Sequence, residues 1–168
     1  MAGTETVPRW DLTPIFAGTD DRAFSGALEG IYADVDRLVT YFDEHDIRAT
    51  EPRAVTDDDI ATLEAILTEV NALQTQMRIV STFLYALTTT DSRDDAAAAS
   101  MVELQTRTAA LGPLMKRLGS WLTALGTESF VARSTPAGEH AFVLNKSAEN
   151  AAFQMDEAEE SLAAELAP

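Results

Sequence analysis

Apolar residues recur along this chain in steps of four and three, the spacing that places side chains on one face of an α-helix. The first run consists of Phe24, Leu28, Ile31, Val35, Leu38 and Phe42. A second run extends from Ile60 to Leu87, with a parallel row of Ile66, Leu73 and Val80 that predicts neighbours on two sides. A third run extends from Ala97 to Leu125. No stretch alternates apolar and polar residues for long enough to predict a β-strand, so the sequence predicts an all-α fold.

Capping and breaking residues set the expected bounds of three long helices. The first begins near Asp20-Asp21 and ends near Glu44, the second runs from Asp57 to about Leu87 after Thr56 as N-cap, and the third begins after Asp91 or Ser92 and ends at Gly126. Gly112-Pro113 falls inside the third helix. Because proline cannot donate to the helical ladder, we expect a kink there rather than a clean end.

Beyond Gly126 the signals are weaker. We expect short helices near residues 128–132 and 138–144, a polar connector over 145–154 and a closing helix capped by Asp156. The expected architecture is a bundle of three long antiparallel helices plus short C-terminal helices, preceded by an irregular N-terminal strap. Residues 1–19 are expected to form this strap, and residues 20–168 are expected to form a single helical domain.

Charge and missing residue types exclude several classes of function. The net charge is −16, which repels nucleic-acid phosphates and anionic membranes, so no nucleic-acid or membrane partner is expected. The chain has no cysteine, which excludes disulfides, thiolate zinc sites and thiol nucleophiles. The N-terminus lacks the apolar core of a signal peptide and no apolar window has the length of a membrane span, so a cytoplasmic location is expected.

Patterns typical of catalysis are missing as well. A hydrolytic zinc helix carries His-Glu-x-x-His, whereas His45 and His140 lie far apart in the sequence and neither is followed by a second histidine one turn later. Each lies beside carboxylates, which a surface ion pair explains. Ser120 in "LGSWL" has neither a neighbouring base nor a nucleophile elbow. The sequence therefore predicts no catalytic, cofactor-binding or metal-binding residue in this chain.

The remaining polar and aromatic clusters have structural interpretations. Acidic clusters at Asp57–Asp59, Asp94-Asp95 and Glu159-Glu160 coincide with predicted helix N-termini, where carboxylates complement the helix dipole. The helical aromatic residues Phe83, Tyr85 and Trp121 are interpreted as core or packing residues rather than a ligand box.

The stretch "RWDLTPIFAGTDDRAF", residues 9–24, is the least helical apolar segment of the chain. It places Trp10, Leu12, Ile15 and Phe16 close together around Pro14. We expect it to lie as a strap across a helix groove, with Pro14 keeping the backbone extended. Trp10 and Phe16 are predicted to be buried.

This stretch resembles the opening segment of the oligoendopeptidase F family of zinc metallopeptidases, in which Trp-Asp-Leu and a following Phe or Tyr precede a long first helix. Three later stretches are similar to the same family: "FLYALTTTDSRDDAAAASMVELQTRT", "ALGPLMKRLGSWLTALGTESF" and "AFQMDEAEESLAAELAP". Together they cover essentially the whole chain in the family's order.

The resemblance implies the non-catalytic N-terminal helical region of such a peptidase, a wall or lid of the channel that holds zinc and peptide. The parent activity would be hydrolysis of short peptides. Zinc is implied for the full-length family, and no position of this chain matches its ligands. The implied partners are peptides in the full-length enzyme and either the missing C-terminal catalytic domain or a second copy of the chain. The alternative is a free-standing helical interaction or dimerisation module without enzymatic activity.

Overall fold

The computed structural model describes residues 11–151 and residue 153. These residues form α-helices joined by turns and loops, and no β-strand occurs among them, which confirms the all-α prediction. The helices are α1 (Arg22–Glu44), α2 (Asp57–Thr90), α3 (Asp95–Thr108), α4 (Leu111–Leu125), α5 (Thr127–Arg133), α6 (Thr135–Glu139) and α7 (Ala141–Ala151). Within the described ranges, no helix is long and apolar enough to cross a membrane. The predicted closing helix after Asp156 lies outside the described residues.

The chain packs as two compact units, each assembled from separate stretches of sequence. Among the described residues, unit 1 contains 11–35 and 72–109, and unit 2 contains 36–71, 110–151 and 153. The first part of α1, the second part of α2 and all of α3 thus belong to unit 1. Unit 2 takes the rest of α1 and α2 together with α4 to α7.

The core of unit 1 comes from the predicted apolar rows. Its buried side chains are Phe24, Leu28, Ile31, Val35, Leu73, Val80, Phe83, Leu84, Ala97 and Leu104. Helix α1 begins after Asp21, whose carboxylate accepts hydrogen bonds from the backbone N–H groups of Ala17 and Ala23. These bonds lower the pKa of Asp21, because they stabilise its charged form.

The core of unit 2 is supplied by more elements. Its buried apolar side chains are Leu38, Phe42, Ile47, Leu63, Ile66, Leu67, Leu114, Leu118, Trp121, Leu122, Leu125, Phe130, Ala137 and Leu144. Helix α1 ends with Asp46 in the left-handed conformation (φ 51°), while the Ile47 N–H donates to the Phe42 carbonyl at 2.9 Å. This is a Schellman end, and it turns Ile47 into the core. The Arg117 guanidinium of α4 then donates to the carbonyls of both Phe42 and Ile47.

Helix α2 begins at the predicted residue, with a reciprocal capping box. The Asp59 N–H donates to Thr56 Oγ1 at 3.2 Å, and the Thr56 N–H donates to the Asp59 carboxylate at 2.8 Å. The Arg53 guanidinium also donates two hydrogen bonds to that carboxylate, of 2.6 and 2.8 Å. Arg53 and Thr56 hold the pKa of Asp59 well below its usual range, against the opposing effect of burial.

The predicted third helix is interrupted. Helix α3 ends at Thr108 and α4 begins at Leu111, so the break lies just before Gly112-Pro113. The backbone at Ala109 and Ala110 keeps right-handed helical angles. The interruption follows from Pro113, which has no N–H to offer the carbonyl of Ala109 four residues earlier. The N-cap of α3 was predicted at Asp91 or Ser92 and is instead Asp94, whose carboxylate accepts from the Ala97 N–H at 2.9 Å.

The C-terminal part is more helical than predicted. The expected short helix near 128–132 is α5, and the expected helix near 138–144 is divided between α6 and α7 at His140. The polar connector expected over 145–154 is wrong as far as Ala151, because α7 continues to that residue. Small side chains on one side of α7 pack against Gly119 of α4, where a Cβ would lie only 2.9 Å from the Ser147 carbonyl oxygen.

Candidate functional site

Unit 1 has an open groove of about 510 Å³ lined by α2 and α3. Its lining residues are Ser81, Thr82, Tyr85, Thr88, Met101 and Gln105. We call it the α2–α3 groove. Tyr85 is 66% exposed and Met101 is half-buried, so an aromatic ring stands at a surface that also offers a flexible thioether. The prediction that Tyr85 is a core or packing residue is therefore wrong, whereas Phe83 and Trp121 are buried as predicted.

The lining of the α2–α3 groove carries no charged side chain, although the whole chain carries a net charge of −16. The Thr88 hydroxyl donates to the carbonyl of Leu84 at 3.1 Å, and the Ser81 hydroxyl donates to the carbonyl of Arg78 at 3.2 Å. Since their protons are used inside α2, these hydroxyl oxygens retain only acceptor capacity for a further hydrogen bond. Such a lining suits an uncharged chain segment that brings N–H donors and an apolar side chain.

A smaller cleft of about 230 Å³ lies in the same unit, beside the described part of the N-terminal strap. Phe16 packs its ring against Phe24 and Phe83 with centroid distances of 5.4 and 5.1 Å, both close to edge-to-face. Phe16 is half-buried, so the burial predicted for it is only partly confirmed. Ile15 is 46% exposed and contributes little to that packing. Trp10 lies outside the described residues.

The strap backbone turns rather than extends, so the prediction for Pro14 is wrong. The Asp11 carboxylate accepts from both the N–H and the hydroxyl of Thr13, at 3.0 and 2.6 Å. The Leu12 carbonyl then accepts the N–H groups of Ile15 and Phe16 at 2.9 and 3.2 Å. An Asx turn therefore sets the path of the chain across Pro14 and aims Phe16 at the core.

The two histidines contact neutral groups. The His140 ring places Nδ1 2.9 Å from the Pro136 carbonyl oxygen and Nε2 3.1 Å from the side-chain nitrogen of Asn71. The His45 Nδ1 lies 3.5 Å from the Thr62 hydroxyl. Over the described stretches, no three His, Cys, Asp or Glu side chains gather in a way that could hold a metal ion.

The acidic clusters lie at helix N-termini, as predicted for those within the described ranges. Asp59 completes the capping box of α2, Asp57 pairs with Arg133, and Asp94 caps α3. The pair Glu159-Glu160 lies outside the described residues.

One buried polar contact had no signal in the sequence. Ser134 is 5% exposed, and its hydroxyl donates to Glu64 Oε1 at 2.6 Å while accepting from the Ala137 N–H at 3.2 Å. The bond joins the start of α6 to α2 inside unit 2. A serine preceding Thr-Pro predicts a helix cap, but a partner 70 positions away in the chain leaves no local pattern.

The chain matches no protein-family model, no curated protein and no solved structure.

Proposed function

We propose that this chain is the non-catalytic N-terminal helical region of a zinc metallopeptidase resembling oligoendopeptidase F, and that the α2–α3 groove contacts the peptide as part of the channel wall or lid. In this proposal the parent enzyme hydrolyses short peptides in the cytoplasm. Its zinc and catalytic residues belong to a C-terminal domain that is the partner of this chain. The helices form a bundle in which the three long helical segments run antiparallel.

The position of the groove within the sequence is the observation that carries this proposal. Tyr85, Thr88, Met101 and Gln105 all fall in "FLYALTTTDSRDDAAAASMVELQTRT", one of the stretches that resemble the family. A surface that only solubilises the protein would be expected to be charged in so acidic a chain. An uncharged lining with an exposed tyrosine instead suits a substrate recognised through its backbone and apolar side chains.

The strap lies in another stretch that resembles the same family. The first stretch that resembles the family contains Phe16, which packs on Phe24 and Phe83. The described residues of this segment, 11–24, are therefore part of the folded unit. The resemblance thus coincides with residues that hold unit 1 together.

Binding of a neutral peptide tests the role of the groove. A fluorescently labelled neutral peptide of about ten residues, containing one aromatic residue, is titrated with the 168-residue chain at 150 mM salt and followed by polarisation. We expect Tyr85→Ala to weaken binding about fivefold or more, because one aromatic contact contributes about 1 kcal/mol. Val102→Ala is the matched control: Val102 is 62% exposed on α3 and does not line the groove. Equal affinities of the two variants would rule out the groove as the peptide contact.

Two further measurements test whether this chain is part of a peptidase. The 168-residue chain is expected to show no peptide hydrolysis with or without added zinc, and zinc-dependent cleavage would contradict the proposal. A reading frame that continues past Pro168 into a His-Glu-x-x-His helix would support the peptidase. A frame without such a helix would favour the second candidate.

The second candidate is a free-standing helical interaction or dimerisation module. The observation that favours it is the apolar surface on α7, where Phe142 is 81% exposed and Val143 is 61% exposed.

A further inference from the structure

Helix α7 is held against α4 on one side and leaves large apolar side chains on the other. Gly119 of α4 permits a close approach, since a Cβ there would meet the Ser147 carbonyl oxygen at 2.9 Å. Thr123 of α4 also donates its hydroxyl proton to the Ala148 carbonyl at 2.9 Å. These contacts determine the rotation of α7 about its axis. Phe142 consequently stands 81% exposed on the open side.

Three residues of α7 share this open side, and a fourth exposed residue follows the end of the helix. Successive residues of an α-helix are separated by about 100°, so Phe142, Lys146 and Glu149 fall within an arc of about 60°. Phe153 follows after a turn in which its N–H donates to the Asn150 carbonyl at 3.2 Å, and its side chain is 89% exposed. We call Phe142, Lys146, Glu149 and Phe153 the α7 ridge.

The order of residues on the α7 ridge is self-complementary. Phe142 precedes Lys146 by one helical turn, and Phe153 follows Glu149 by the same number of residues. A twofold axis placed midway between Lys146 and Glu149 would set each Phe142 opposite the partner copy's Phe153, and each Lys146 opposite the partner copy's Glu149. We propose that two copies of this chain associate antiparallel through the α7 ridge.

The charges favour a second copy over an unrelated partner. Lys146 and Glu149 form an ion pair of 3.1 Å within one chain, with side chains 57% and 63% exposed. Twofold pairing would join two such ion pairs into a group of four alternating charges. The ridge itself is neutral, whereas the chain carries a net charge of −16, so an approach through the ridge brings together surfaces without a net charge of their own. Since salt screens the remaining repulsion, association strengthens between 20 and about 150 mM salt.

Charge reversal gives the sharpest test, read as the dimer dissociation constant from sedimentation velocity over a concentration series. Lys146→Glu sets like charges opposite each other across the axis, and so does Glu149→Lys. We expect each single variant to weaken the dimer about threefold to tenfold, since every pair occurs twice. The double variant Lys146→Glu/Glu149→Lys restores alternating charges and is expected to recover most of the affinity. A mere effect of net charge would instead make Glu149→Lys the tighter dimer.

The aromatic ends of the ridge provide a second measurement. Phe142→Ala and Phe153→Ala each remove two contacts from a twofold dimer, and each is expected to weaken association at least tenfold. Val102→Ala, which truncates an exposed apolar side chain in unit 1, is the control and leaves the dissociation constant unchanged. Lys116→Glu is the control for charge: it makes the same change in net charge as Lys146→Glu, but at a residue of α4 outside the ridge.

Three results would overturn the inference. A chain that remains monomeric up to about 0.5 mM would contradict the twofold dimer. Opposite effects of the two single charge reversals would show that only net charge matters. A dimer insensitive to both phenylalanine variants would lie on another surface.

Discussion

Removing the Asp59 carboxylate is expected to destabilise unit 2 by about 2–3 kcal/mol. The carboxylate accepts two hydrogen bonds from Arg53, at 2.6 and 2.8 Å, and two from Thr56, at 2.8 Å from the N–H and 2.7 Å from the hydroxyl. Loss of the helix cap costs about 1 kcal/mol, and donors left without an acceptor cost about 1 kcal/mol more. The Arg53 side chain is 46% exposed, so its screened ion pair adds only about 0.5–1 kcal/mol.

The matched control for Asp59→Ala is Asp58→Ala. Asp58 belongs to the same first turn of α2 and is exposed, so its removal costs only the helix-dipole contribution of about 0.3–1 kcal/mol. Asp59→Asn is intermediate, at about 1–2 kcal/mol, because the amide oxygen still accepts from the Thr56 N–H.

Trp121 is a suitable reporter for this measurement. It is 2% exposed, its ring lies 5.1 Å from that of Phe130, and it belongs to unit 2 together with Asp59. A Trp10→Phe background leaves it as the only tryptophan. Urea denaturation followed by Trp121 fluorescence then gives the free energy of unfolding, with an unchanged m-value required for the comparison. A difference between Asp59→Ala and Asp58→Ala below about 0.5 kcal/mol would refute the reasoning.

The contribution of Asp59 also has a defined pH dependence. Because folding lowers the pKa of Asp59 below its unfolded value of about 3.9, the folded state binds its proton less readily than the unfolded state. Its stabilisation is therefore fully present above about pH 5 and is lost as pH falls below 4 towards the folded pKa. The difference in free energy of unfolding between the wild-type chain and Asp59→Asn should become smaller over the same pH range. A gap that stays constant down to about pH 2.5 would contradict the lowered pKa.

Two further predictions concern packing. Phe16→Ala should destabilise unit 1 by about 1.5–3 kcal/mol in urea denaturation followed by circular dichroism, whereas Ile15→Ala, at a side chain 46% exposed, should cost about 0.5 kcal/mol. Similar losses for both would show that the strap does not depend on Phe16. Gly119→Ala should destabilise unit 2 by about 1–3 kcal/mol, because the new Cβ would meet a backbone oxygen of α7 at 2.9 Å. Gly112→Ala in the same helix, with nothing within 4 Å of its Cβ, should stabilise by up to about 1 kcal/mol, and a loss there would refute the distinction.

The long helices could be predicted because their buried side chains recur with the period of the α-helix itself. Every apolar residue of the run from Phe24 to Phe42 is buried, as is the second row of α2 at Ile66, Leu73 and Val80. The start of α2 could be predicted equally well, since Thr56 and the three aspartates that follow it are a local signal for a helix N-terminus. These features depend on residues within one or two turns of each other. A single sequence contains that information directly.

Helix α7 shows where local information ends. Residues 145–154 are polar and were predicted to form a connector, yet the helix continues to Ala151. It packs on α4 through small groups, with Gly119 close to Ser147 and Ala151. Small residues let two helices approach closely, and they do so without the periodic large apolar residues that mark a buried helix face in the sequence. The signal for this packing therefore lies in Gly119, more than 20 positions earlier in the chain.

The surfaces with functional interest were hidden for a related reason. Tyr85 and Phe142 are aromatic residues of the kind usually found in a core. Periodicity alone does not distinguish a buried aromatic side chain of a helix from an exposed one. Burial depends on what the neighbouring helix presents. Helix α3 buries only Ala97 and Leu104, and Met101 and Gln105 of the same helix line the open groove beside Tyr85. Exposed members of an apolar set therefore mark the places where this chain has more hydrophobic surface than its described fold uses. These places are where binding should be sought first.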